Sequence, residues 1–190
     1  MISRDAEGPG SKWNRRAFLR AAGWALAGAG GSGCARSSLS KREAVGAGPG
    51  VRVRVDGDAD PLVGRAWEVL RRRVEERVPV RWIRTRSSPR IHLTLDEGLD
   101  AEAFRLESIG DAVRISGGSG NGLLYGVGKF LRTSRYDGAF EPSKWRGASK
   151  PRGSLRGMYF ASHFHNWYHQ ASEAEIVRYL EDLSLWGVNA

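Results

Sequence analysis

The chain has a single cysteine, Cys34, so an intramolecular disulfide is excluded even in an oxidising compartment. Its apolar stretch Ala21 to Ala29 is short and weakly hydrophobic, too short to span a bilayer. Basic and aromatic residues do not interleave in the way that single-stranded nucleic acid binders require, so no nucleic-acid partner is expected despite a net charge of +9. Residues 1–34 hold Arg4, Lys12, Arg15, Arg16 and Arg20 against Asp5 and Glu7, and the remaining excess alternates with Glu and Asp on helix and strand surfaces. The glycine run Gly117 to Gly122 lacks the Lys-Ser/Thr of a phosphate loop, and the strands before it read as an antiparallel meander. It is expected to make a tight strand-to-helix turn, with Gly126 and Gly128 allowing close helix–sheet packing. No cofactor is expected.

What is present begins with an address label. Trp13-Asn14-Arg15-Arg16-Ala17-Phe18-Leu19-Arg20 resembles a bacterial twin-arginine export signal, and Ala21 to Ala29 reads as its apolar region. Gly31-Ser32-Gly33 before Cys34 resembles the approach to a lipoprotein cleavage site, although Gly31 stands where an aliphatic is usual. Lipidation of Cys34 would anchor the chain to a membrane. A cut after Ala27-Gly28-Ala29 would instead release a soluble protein. Uncleaved and unmodified, Cys34 is an unpaired thiol. Periplasmic, envelope-anchored and extracellular locations all follow from export.

Residues 35–50 are rich in Gly, Ser and charge and read as a flexible linker. Val51 to Val55 alternates strictly, as a half-buried strand does. Pro61 behind Asp60 opens a helix to about Val78, with Leu62, Ala66, Val69, Leu70 and Val74 on one stripe. Pro79 to Ile83 and Ile91 to Leu95 read as strands, and Gly110-Asp111 as the turn of a hairpin joining Phe104–Glu107 to Ala112–Ile115. Leu123 to Leu131 follows as a helix, and 137–152 as a second polar linker. The fold class is α+β: a small, mainly antiparallel sheet with helices on one face.

Leu155 to Ala161 reads as a buried strand, His163 to His169 as a polar and aromatic loop, and Ser172 as the N-cap of a helix stopped by Gly187. Val188-Asn189-Ala190 would begin another strand. One β/α unit cannot bury its own apolar faces, so 153–190 reads as the truncated start of a TIM barrel. The last forty residues of the chain, Pro151 to Ala190, are expected to be mobile or aggregation-prone.

Residues 51–136 resemble the α/β domain that precedes the barrel in family 20 glycoside hydrolases, the β-N-acetylhexosaminidases, and in α-glucuronidases. The resemblance rests on Ile91-His92-Leu93-Thr94-Leu95, Ala103 to Glu107, Val113 to Gly118 and Asn121-Gly122-Leu123-Leu124-Tyr125-Gly126-Val127, the last similar to a Gly-Leu-x-Tyr-Gly helix. Arg156-Gly157 resembles the Arg-Gly opening barrel strand one, where the family's Arg binds sugar hydroxyls. His165 matches the His of an Arg-His pair, and Asn189 a buried Asn. Ala161 and Phe164 replace an acidic residue and an Arg of that pattern.

The resemblance implies an exported hydrolase of O-glycosyl bonds acting on an oligosaccharide or glycan. In that family a Glu on strand four is the general acid and the substrate's acetamido group the nucleophile, so no catalytic residue falls within this chain and residues 1–190 alone are expected to be inactive. The substrate-binding candidates are Arg156, His165 and Trp167. Arg156 is alternatively a strand-end salt-bridge residue. Trp167 is either a stacking platform for a sugar face or a plug at the barrel rim. Two other functions stay open: a non-catalytic carbohydrate-binding or structural fragment, and a metal-dependent amidohydrolase-type enzyme with His163 and His165 as ligands.

Overall fold

A computed structural model describes residues 48–57, 59–161 and 165–190. The export motif with Arg15 and Arg16, Cys34, most of the linker at 35–50, and His163 lie outside the described residues. Among the described residues six strands and three α-helices follow in the order β1 (Gly50–Val55), α1 (Pro61–Glu75), β2 (Arg81–Arg84), β3 (Ile91–Leu95), β4 (Phe104–Ile109), β5 (Ala112–Gly117), α2 (Gly120–Thr133), β6 (Gly147–Ser149) and α3 (Glu173–Leu185). They form one sheet, ordered β2-β1-β3-β5-β4-β6, with helices packed on it. The class is the α+β expected.

The polarity of the sheet corrects one detail. It is mixed: β1–β2, β1–β3 and β3–β5 pair in parallel, while only β4–β5 and β4–β6 are antiparallel. A six-residue connection between β2 and β3 reads as an antiparallel return, because parallel neighbours need a long crossover. The chain avoids that need. β2 pairs with the first half of β1, up to Val53↔Arg84, and β3 takes up the other side of β1 from Val53↔Ile91 onward. The strands thus succeed one another in the same direction, and Ser88 and Pro89 cross beside Arg52 and Arg54.

Alternation then decides which face is buried. Val51, Val53, Val55, Ile91, Leu93, Leu106, Val113 and Ile115 point to a common core with Val63, Val69, Leu70 and Val74 of α1 and Leu123, Val127 and Phe130 of α2. Asp60 caps α1, its Oδ1 accepting from the Leu62 amide at 2.7 Å. Gly110, at φ 54°, makes the hairpin turn between β4 and β5.

The stretch 137–152, expected to be a linker, contributes to the domain. Phe140 is buried against Trp82, Phe130 and Tyr136, and β6 extends the sheet edge. One aromatic among polar neighbours carries no periodicity, which is why the pattern misses it. The glycine run makes the turn expected of it, with Ser119 as the N-cap of α2. Gly126 lies against Ile115 and Phe104 of the sheet, as anticipated. Gly128 faces elsewhere: a Cβ there would strike the Leu185 carbonyl at the end of α3.

Candidate functional site

The segment after the sheet domain is built around α3. Ser172 and Glu175 close a capping box at its start, and Gly187, at φ 90°, follows its end. The chain then returns beside residues 156–158. The Asn189 amide donates to the Arg156 carbonyl at 2.9 Å, and the Met158 amide to the Ala190 carbonyl at 3.1 Å. Residues 155–161, expected to form a strand, do not form one: beside these two bonds the Arg156 amide donates to Asn189 Oδ1 at 2.9 Å. Three residues at 188–190 are too short a partner to complete a ladder, and Leu155 and Tyr159 stand more than three-quarters exposed.

Arg156 is held at the start of this run. Its Nη1 and Nη2 donate to Glu102 Oε2 and Oε1 at 3.1 and 2.6 Å, and Nη2 also reaches the Tyr125 hydroxyl at 3.3 Å. Nη1 donates to the Gly153 carbonyl at 2.6 Å and Nε to the Gly187 carbonyl at 2.5 Å. A guanidinium has five N–H donors, and all five are engaged. The same Glu102 accepts from Tyr125 and from Asn189 Nδ2, at 3.1 and 3.2 Å. The Arg156 guanidinium, helped by Asn189 and Tyr125, holds the Glu102 carboxyl below its usual range. A sugar hydroxyl reaches Arg156 only by displacing one of these partners.

His165 and Trp167 belong to the far end of the segment. Trp167–His169 forms a 3₁₀ turn. Trp167 packs edge-on against Tyr179 of α3 at 5.5 Å, and Phe160 meets both Tyr168 and Tyr179. His165 stacks on His169 at 5.7 Å and lies 2.7 Å from Gln170 Nε2. Asn166 Nδ2 donates to the Ala161 carbonyl and to the Tyr168 hydroxyl, each at 2.9 Å. Trp167 remains half exposed. A cavity of about 310 Å³ lies between α2, α3 and the run, lined by Leu124, Met158, Phe160, Leu180 and Leu183. His165 therefore sits among aromatic and amide neighbours. Among the described residues no group of three or more His, Cys, Asp or Glu side chains is placed to hold a metal ion.

Glu102 was not legible as a site residue. It is one acid in a turn before β4, with no spacing to mark it. Tyr125 and Asn189 were visible only as motif positions, and the structure gives them a common partner.

No protein-family model matches the chain, and no curated protein matches it. Solved structures do. The GH20 β-N-acetylhexosaminidase from Streptomyces coelicolor A3(2) has a TM-score of 0.56 at 23% identity, over 73% of this chain and 29% of its own. A family GH115 4-O-methyl-α-glucuronidase with specificity for decorated arabinogalactans has a TM-score of 0.55 at 18% identity, over 75% of this chain and 24% of its own. The fold is glycoside-hydrolase-like. An inactive mutant of the GH20 exo-β-N-acetylglucosaminidase from Vibrio harveyi agrees, with a TM-score of 0.52 at 20% identity over 74% of this chain. This chain spans 21 to 29% of the length of these three structures.

Proposed function

We propose that this chain is the N-terminal portion of an exported glycoside hydrolase that cleaves O-glycosyl bonds in an oligosaccharide or glycan. The observation that carries the reading is the fold itself: a mixed sheet backed by two helices, similar at TM-scores of 0.52 to 0.56 to GH20 and GH115 enzymes. The Arg-Gly at Arg156-Gly157 and the Gly-Leu-x-Tyr-Gly helix support it from the sequence. In this reading Trp167 offers a ring face to a sugar, with His165 as hydrogen-bonding neighbour. Arg156 secures the segment to the sheet domain through Glu102 and contributes to sugar binding only after exchanging a partner. The general acid lies on a later strand, so residues 1–190 alone have no turnover. Arg15 and Arg16 direct export, and lipidation of Cys34 anchors the product to a membrane.

The test is hydrolysis of a panel of p-nitrophenyl glycosides, including the N-acetyl-β-glucosaminide and the α-glucuronide. The panel is offered to residues 1–190 and to the product of the complete reading frame. Activity confined to the longer product is the expected result. Turnover by neither on any glycoside would overturn the reading, and turnover by the 190-residue chain would overturn the placement of the acid.

A further inference from the structure

The face of the sheet turned away from α1 and α2 is an arginine surface. By the same alternation that sends Val53, Ile91 and Ile115 into the core, Arg52 and Arg54 of β1, Arg81 of β2, Arg90 and His92 at β3, Arg114 of β5 and Arg105 of β4 share the opposite side. Three of the six guanidiniums are matched to carboxylates. Arg54 makes a fork on Asp56, Nε and Nη2 each at 2.9 Å, and Arg114 closes on Glu107 at 2.7 and 2.6 Å. Arg105 reaches Asp96 at 3.7 Å.

The other three, Arg52, Arg81 and Arg90, have no carboxylate within ion-pair distance among the described residues. Arg52 and Arg90 are level neighbours on adjacent strands, the Arg90 amide donating to the Arg52 carbonyl at 2.9 Å. Like charges placed so destabilise a sheet unless something anionic lies across them. Both line a cavity of about 460 Å³ with Arg54, Arg114 and His92. Among the described residues Asp111 is the one acid lining it, and it makes no ion pair with any of them.

We infer that this open face binds an acidic polysaccharide, with the carboxylates of successive uronic acid units lying across Arg52, Arg90 and Arg81. Charge complementarity and guanidinium geometry carry the assignment. A planar fork takes a carboxylate through two parallel N–H bonds, and Arg54 already sets Nε and Nη2 against the two oxygens of Asp56. An open sheet face suits an extended chain laid across strands. Among the described residues no Trp, Tyr or Phe lines the cavity to stack a base, since Trp82 of the neighbouring strand packs into the core against Trp67 and Phe140, so nucleic acid is disfavoured. The site is independent of the catalytic reading: it stands or falls by binding, whatever the longer protein hydrolyses.

Affinity electrophoresis of the 190-residue chain in gels containing polygalacturonate tests it, with fully methyl-esterified pectin as the uncharged version of the same backbone. Retardation by polygalacturonate alone, weakening as salt is raised, is expected. The double variant Arg52→Gln/Arg90→Gln should lose at least tenfold in affinity with an unchanged circular dichroism spectrum. Should that variant fail to fold, Arg81→Gln alone should still weaken retardation. Arg71→Gln, on the exposed side of α1, should bind as the parent does. Equal retardation by both polymers, full binding by the folded arginine variants, or tighter binding of duplex DNA at the same salt would each overturn the inference.

Discussion

Arg73 and Glu181, 108 positions apart, meet between α1 and α3, where Arg73 Nε donates to Glu181 Oε1 at 2.8 Å. Arg73 Nη2 lies 2.6 Å from the same oxygen and 2.7 Å from Asp182 Oδ1, close enough for charge contact at angles that miss a good hydrogen bond. The Arg73 side chain is only 4% exposed and that of Glu181 8%. Arg72 and Arg65 add further contacts to Glu181, and Arg178 reaches back to Glu76 with two bonds of 2.8 Å. Helix α3 is thus fastened to the sheet domain by charge more than by apolar area, since Leu185 is its one buried residue.

Removing one partner of a buried pair leaves the other desolvated and unpaired, at a cost of about 3 kcal/mol or more. Glu181→Ala should therefore destabilise strongly in urea unfolding. Arg73→Met/Glu181→Leu should recover most of the loss. A cost below about 1 kcal/mol for the single change would mean that the pair does not hold α3.

The same cluster sets an acid limit. Burial pushes the Glu181 carboxyl upward, but hydrogen bonds from Arg72 and Arg73 outweigh it and leave the group below its usual range. Hydrogen bonding from Arg178 holds the Glu76 carboxyl down in the same direction. Groups depressed in the folded state contribute stability that is complete above the unfolded glutamate value of about 4.3 and is lost as pH falls through their folded values. Thermal unfolding midpoints should be level near neutrality and drop below about pH 4. The Glu76→Gln/Glu181→Gln variant should start lower and lose less on acidification.

Glycine matters differently at two helical positions. Gly128→Ala should cost about 1–3 kcal/mol, because its methyl meets the Leu185 carbonyl and Arg132. Gly64→Ala, in α1 with open space around it, should stabilise by about 0.5–1 kcal/mol. Thermal unfolding of the two variants side by side separates close approach from backbone entropy.

Glu102→Ala removes the carboxylate shared by Arg156, Tyr125 and Asn189. Amide exchange at Met158 and Asn189 should accelerate at least tenfold, while exchange at Leu93 and Ile115 stays unchanged. Equal exchange at all four would mean that Glu102 does not secure the returning segment.

The elements most legible in the sequence were those whose information is local. Asp60-Pro61, Ser172, Gly110-Asp111 and the alternation of β1 and β3 each carry their own chemistry. What escaped depends on partners distant in the chain. The parallel placement of β2 and β3 follows from a half-strand offset that no composition encodes, and Phe140 joins the core through rings at Trp82 and Phe130. At the candidate site, Arg156 was legible together with its salt-bridge alternative. Its partner Glu102 was not, since 54 residues separate them.

The outer strands of the sheet bear on how copies of this chain meet. β2 has four residues with Arg81 and Arg84 at its ends, and β6 has three, flanked by Arg146 and Lys150. Unpaired strand edges recruit other strands, and short edges bracketed by cations resist this. Two molecules approaching edge to edge bring like charges together before a ladder of useful length can form. The border of the sheet thus works as a deterrent to self-assembly, keeping neighbours apart when the protein is crowded with its own kind.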